Sequence, residues 1–337
     1  RRESPVAEIV LGIASSHGPL LGSPAADILK HADRDINSKA HLDLAGGPVT
    51  YAGLLEKADP AIESELTDGV VAAKVDACQA GIARLAAVLE EVRPDVVVVV
   101  GDDQHEQFLE DNQPAVLIYS GETIENGVST LPATAPDYWK RARAQYHEAE
   151  QPREYPVAAK FARHLTEFLV DADFDISHSE RLPRATGEGH AYGFVHHRLM
   201  TGYTAPIVPV MLNTYYPPNQ PTPARCFALG RALGDAVGTW PKDIRVAFIA
   251  SGGLSHFTVD PDLDRLVMDA FLTGDGDTLS AIPRVRLNSG NSEIRNWIVV
   301  AGASAGLVPE WHDYVPFYRT PAGTGCGMGF AILGQDR

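Results

Sequence analysis

Five short apolar runs, Ile9–Ala14, Val96–Val100, Ala115–Tyr119, Ile207–Leu212 and Val246–Ser251, constrain this chain more than any other feature. They are rich in β-branched residues, bounded by Pro, Gly or Asp, and too short for buried helices, so each reads as a buried strand. Between them lie amphipathic helical patterns at Asp68–Val92, Tyr155–Ala172, Thr222–Trp240 and Asp260–Gly274, the first stopped by Pro94. Strands that alternate with helices predict an α/β fold, a single α/β/α domain over residues 1–337 around a mostly parallel central sheet. Two polar segments, about 33–66 and 120–154, break the alternation and read as excursions that cover a site or an interface.

Charge and cysteine content narrow the function classes. A formal net charge of −16 argues against nucleic acid and anionic membrane surfaces as partners, because both call for basic patches. Cys78, Cys226 and Cys326 are far apart and form no zinc-type spacing, which suits a reducing cytoplasm. No run approaches the ~18 apolar residues of a membrane span, and the first residues carry no signal-peptide core. The expectation is a cytoplasmic protein.

In open α/β sheets ligands bind beyond the carboxyl ends of the strands, and the polar residues of this chain gather there. His17 follows the first run; Asp102, Asp103 and His105 follow the second; Asn213 follows the fourth; His256 follows the fifth, through "SGGLSHF". One such histidine alone would read as a packed core residue, but several at strand ends read as a shared site. His190 follows the Gly-rich turn "TGEGH", whereas His196 and His197 lie in a helical stretch where solvent-facing or packing roles fit better. Two histidines without a nearby cysteine suit a metal bound through imidazole and completed by a carboxylate, the face typical of non-haem Fe(II). The candidate carboxylates are Asp102, Asp103, Glu106, Glu188 and Glu293. Glu293 opens an apolar helix, so a helix-terminal charge or a capping-box glutamate is the competing reading there.

The ordered motifs "GIASSHGPLLGSP", "GDDQHEQF", "GEGHAYGFVHHRLM", "VPVMLNTYYPPNQPTPARCFALGRAL", "SGGLSHF" and "NSEIRNWIVVAGA" resemble those of class III extradiol ring-cleavage dioxygenases. That family includes the catalytic subunit of protocatechuate 4,5-dioxygenase. "TYYPPNQPTP" and "YRTPAGTG" are most similar to its 3-O-methylgallate dioxygenase type. The resemblance spans His17 to about Phe330. It implies an α/β/α domain, Fe(II) held by His17, His105 and Glu293, His256 as the acid/base, and His190 as a partner to substrate or oxygen. The stretch from His17 to His105 is longer than in the protocatechuate enzyme, and nothing like that enzyme's small lid subunit is fused here.

On this reading the substrate is a catecholic acid of the 3-O-methylgallate, gallate or protocatechuate kind, cleaved with O₂. Asn213, Tyr215, Tyr216, Tyr318, Arg319 and Thr320 are candidates for reading its ring substituents, with Arg319 able to grip a carboxylate through its guanidinium. A homodimer is expected. A metal-dependent hydrolase and a non-catalytic binding protein on the same scaffold remain the alternatives.

Overall fold

The computed structural model describes residues 6–336. Eleven strands run β1 (Glu8–Ser15), β2 (Val96–Asp102), β3 (Val116–Tyr119), β4 (Thr123–Asn126), β5 (Arg153–Pro156), β6 (Ser177–Ser179), β7 (Ile207–Leu212), β8 (Arg245–Ser251), β9 (His256–Thr258), β10 (Val308–Tyr318) and β11 (Thr324–Gly334). Nine of them form one sheet in the order β10-β11-β1-β8-β2-β7-β3-β6, with β9 on the end of β11; β4 and β5 pair separately. The central four, β1, β8, β2 and β7, are mutually parallel. The chain is thus α/β around a largely parallel sheet, as the strand–helix alternation predicts.

The pleat of β2 shows why its valine run belongs at the centre. Val96, Val98 and Val100 join the core on one face of the sheet, and Val97 and Val99 join the core on the other. A strand buried on both faces has no polar side, so it reads as a continuous apolar run. Helices Pro223–Gly238 and Ile294–Ala303 cover the first face, and helix Asp68–Val92 and the segment His190–Leu199 cover the second. Helix Asp68–Val92 ends at Arg93, whose left-handed backbone (φ 47°) turns the chain just before Pro94.

Three features depart from the sequence reading. The helix foreseen from Tyr155 starts at Ala159, because the residues before it pair as β5. The run at β3 lies antiparallel to β7. The C-terminal hairpin of β10 and β11, whose β11 flanks β1 antiparallel, lies outside the runs that read as strands. Its hidden strand holds Gly325, Gly327 and Gly329 because neighbouring groups press on the backbone: a Cβ at Gly327 would lie 1.9 Å from Asp264 Oδ2, and one at Gly329 2.5 Å from Leu254 Cδ1. Glycine-rich sequence has low strand propensity, so close packing and local preference point in opposite directions here.

Glycine also sets the contact between the two helices on the first face. A Cβ at Gly230 would fall 1.9 Å from the Val299 carbonyl oxygen, while one at Gly238, on the same helix, meets nothing within 4 Å. Gly230→Ala should therefore lower stability by about 1–3 kcal/mol through overpacking. Gly238→Ala should be neutral or stabilising by up to about 1 kcal/mol. Denaturant midpoints of the two variants check this contrast, and equal effects would refute it.

Candidate metal centre

The C-terminal ends of β1, β2 and β8 open on a cavity of about 360 Å³. His17, Gln104, His190, Tyr215, His256 and Glu293 line its inner end. Ligand atoms of His17, Asp102, His190 and Glu293 lie within 4.8 Å of one another, and all four residues are buried.

Hydrogen bonding fixes which nitrogen each histidine turns inward. Ser251 Oγ donates its proton to the Ala191 carbonyl at 2.7 Å, so it must accept from His17 Nδ1–H at 3.0 Å. His17 Nε2 then points at Glu293 Oε2, 3.0 Å away. His190 is held in the same way: Glu106 accepts from its Nδ1 at 2.7 Å and from its backbone N–H at 3.0 Å, leaving Nε2 to face the cluster. Burial opposes the charge of Glu106, but His190 and Arg143 outweigh it and hold the carboxyl down at about 2. Two imidazoles with Nδ1 satisfied and Nε2 turned toward buried carboxylates are a donor set that could hold a metal ion. Without a cation or an added proton, a neutral His17 would set its lone pair against a carboxylate oxygen.

Glu293 is the hub. It sits at the N-terminus of helix Ile294–Ala303, where the backbone favours negative charge. Oε2 accepts from Gly253 N–H at 2.6 Å, and Oε1 accepts from the Tyr215 hydroxyl at 2.8 Å and Gln104 Nε2 at 3.0 Å. Burial works against its ionisation, but His256 and His17 prevail and hold it well below the usual carboxylate range. Burial and the Glu293 charge push the neighbouring Asp102 well above that range. Such a split is expected of two carboxyls in one dry site.

His256 lines the cavity with its Nδ1–H donated to the Leu254 carbonyl at 2.9 Å. Its Nε2 lies 3.1 Å from the Tyr215 hydroxyl and 3.3 Å from Glu293 Oε1. Burial lowers its proton affinity, yet the Glu293 charge more than compensates and raises it. Burial, with the Glu293 charge, lifts the Tyr215 phenol well above its ordinary value, so it stays a neutral donor.

His105 is not among these groups. It sits in the turn after β2 with a left-handed backbone (φ 60°), and its ring stacks on Tyr216 at 3.6 Å and 8° between planes. Asp103 shapes that turn by accepting from Gln107 N–H at 2.7 Å and Phe108 N–H at 3.1 Å. The turn aims Gln104 and Glu106 inward and His105 outward. Gln104 had no role in the sequence reading, and its adjacency to His105 in "GDDQHEQF" was the only signal.

The residues expected to read substrate separate as well. Tyr215 lines the cavity. Asn213 instead braces its loop, donating to the Tyr216 carbonyl and to Asn219 Oδ1, both at 2.6 Å. Tyr318 lies under Lys74, and Thr320 bonds Thr324. Arg319 borders the cavity, but its guanidinium is spent on Asp35 through bonds of 2.9 and 2.8 Å. Glu188 pairs with His196 and Asn126 in a separate buried network.

The profile of the catalytic LigB subunit of aromatic ring-opening dioxygenases matches residues 60–329. The chain belongs to that family. It is 30% identical over 182 residues to a 2,3-dihydroxyphenylpropionate/2,3-dihydroxicinnamic acid 1,2-dioxygenase of Comamonas testosteroni, covering 54% of this chain and 49% of that protein. It is 26% identical over 195 residues to a gallate dioxygenase of Pseudomonas putida, covering 53% and 55% respectively. The chain thus matches about half the length of these relatives. His17 lies ahead of the stretch matched by the family profile. Among the described residues, no helix is long and apolar enough to cross a membrane.

Asp264 locks the loop that carries His256. Its Oδ1 accepts from Ser255 N–H, and its Oδ2 accepts from the Ser255 and Tyr314 hydroxyls, all at 2.7 Å. Burial pushes this carboxyl up to about 6, although the three hydrogen bonds resist. A raised carboxyl contributes stability below the unfolded value near 4 and loses it as pH rises through about 6, a change of roughly 3 kcal/mol. The stability difference between wild type and Asp264→Asn should accordingly shift by that amount in favour of the variant from pH 4 to pH 7. Urea titrations across this range test it, and a pH-independent difference would refute it.

Proposed function

We propose that the protein is an Fe(II)-dependent extradiol dioxygenase that opens the ring of an aromatic ortho-diol acid with O₂, and that His17, His190 and Glu293 hold the iron. The observation that carries this reading is the convergence of two oriented Nε2 atoms and the Glu293 carboxylate on one buried point. The ligand set differs from the expectation in one member, with His190 in place of His105. Bound there, ferrous iron would bring the diol oxygens and O₂ to a common centre.

The protein's own groups supply positioning and proton transfer. Ser251 and Glu106 fix the orientation of the two imidazoles. A volume of about 360 Å³ suits a single substituted aromatic ring. Phe257 and Met328 provide apolar wall against which the ring would lie. With Nδ1–H committed to Leu254, His256 turns Nε2 to the cavity beside Tyr215 and Glu293, where it can exchange a proton with the diol and supply one as the ring opens. Tyr215 donates to Glu293 Oε1, so its oxygen can only accept from a protonated His256 Nε2, which holds that nitrogen at the cavity edge. The names of the relatives, a gallate and a dihydroxyphenylpropionate enzyme, support a carboxylated diol, with 3-O-methylgallate, gallate and protocatechuate as the first compounds to try.

Anaerobic loading with Fe(II), followed by metal analysis and oxygen-electrode assays on those diols, tests the proposal. His17→Ala, His190→Ala and Glu293→Ala should lose bound iron, and His105→Ala should keep it. His256→Ala should keep iron and lose about 10²- to 10⁴-fold in turnover, the usual contribution of a positioned acid/base. No oxygen uptake with any diol would sink the function, and iron lost on His105→Ala but kept on His190→Ala would sink the ligand assignment.

A further inference from the structure

We propose that Arg143, set beside Trp139 and Arg34 at the outer end of the cavity, binds the carboxylate of the ring substrate. This rests on the reading of the cavity as a ring-diol site and names the residue that selects among such rings. The argument starts from the charges on the cavity wall. Its acidic members are Asp35 and Glu293 and its arginines are Arg34, Arg143 and Arg319. Asp35 neutralises Arg319 in a buried bidentate pair, and Glu293 is matched by His17 and His256. Among the described residues Arg34 is left without an ion pair, and Arg143 keeps only a long contact of 3.8 Å to Glu106.

Arg143 is under-used where it stands. Its nearest carboxylate, Glu106, lies 3.8 Å from Nη2 and already accepts from His190 through both oxygens. Its Nε is buried without a hydrogen-bond partner among the described residues. A buried donor left unpaired is costly, and a planar carboxylate is the group that a guanidinium best satisfies, through two parallel bonds. Arg34 makes no ion pair among the described residues; its guanidinium lies 3.9 Å over the Trp139 ring. Together they form a cationic shelf with an aromatic floor.

The shelf is tied to the inner end of the cavity. Arg143 lies 5.1 Å from the centre of the Tyr146 ring, whose hydroxyl donates to the His17 carbonyl at 2.5 Å and whose ring edge meets His190. A diol ring with its hydroxyls among His17, His190 and Glu293 would carry an outward acidic substituent toward this guanidinium. The field of the whole chain, with net charge −16, repels such an anion. Arg34, without an ion pair among the described residues, and Arg143, whose Nε is unpaired there, give the recognition that the rest of the surface opposes.

Titrating the purified protein under nitrogen with 3,4-dihydroxybenzoate and with its uncharged amide, by calorimetry, tests the assignment. Wild type should bind the acid more tightly than the amide. Arg143→Gln should weaken the acid by about 10- to 100-fold and the amide by less than about threefold, and Arg143→Lys should restore part of the loss because it keeps the charge without the fork. A wild type with no preference for the acid, an unchanged affinity for it in Arg143→Gln, or an equal loss for both ligands would overturn the proposal. Oxygen uptake is not the readout. An enzyme inactive on every diol would overturn the proposed function and leave this comparison to be judged by itself.

Discussion

The buried carboxylate of Glu293 is the constraint around which the rest of the site is arranged. A charge in a dry interior is tolerated only when surrounding groups replace its hydration. Here the backbone of Gly253, the Tyr215 hydroxyl and Gln104 Nε2 do so, with His17 and His256 alongside. They come from four segments: the β1 end, the β2 turn, the loop after β7 and the stretch Gly253–His256 that follows β8. Ionised Glu293 therefore holds four connections in register. The glycine at 253 is part of the same arrangement, since a Cβ there would lie 2.6 Å from the His256 ring and 3.2 Å from Glu293 Oε2.

Orientation of the histidines is the second level of the design. An imidazole has two nitrogens, and only one of each pair faces the centre. The Ser251 hydroxyl makes the choice for His17, the Glu106 carboxylate for His190 and the Leu254 carbonyl for His256. Three different acceptor types give the same outcome, an Nε2 turned to the cavity side. On the proposed reading two of these nitrogens ligate and the third handles protons.

The two polar excursions contribute the outer half of the cavity. Arg34, Asp35 and Ser38 come from the first, and Trp139, Arg143 and Tyr146 from the second. Both segments are anchored to the sheet: Asp35 by its ion pair with Arg319 after β10, and Tyr146 by its bond to His17. The central sheet sets the chemistry of the inner end, and the excursions set what can reach it.

Much of this was legible in the residues themselves. The central strands could be read because burial on both faces demands uninterrupted apolar runs, and their ends marked the site because parallel strands open their carboxyl ends on a common crevice. His17, His256 and Glu293 do line that crevice. The glycine-rich β11 could not be read, since its glycines answer to the contacts of Asp264 and Leu254 rather than to strand propensity. Nor could composition tell His105 from Gln104, or Arg319 from Arg143. One left-handed residue in the turn after β2 sends the first pair to opposite sides, and a carboxylate more than 280 positions away in sequence, Asp35, consumes the fork of Arg319. The sequence by itself determined the layers and the edge where polar groups collect, because periodicity and strand ends are local properties. Only the tertiary structure decided which side chains face the centre and which arginine is free, because both depend on backbone turns and on partners brought together from distant segments.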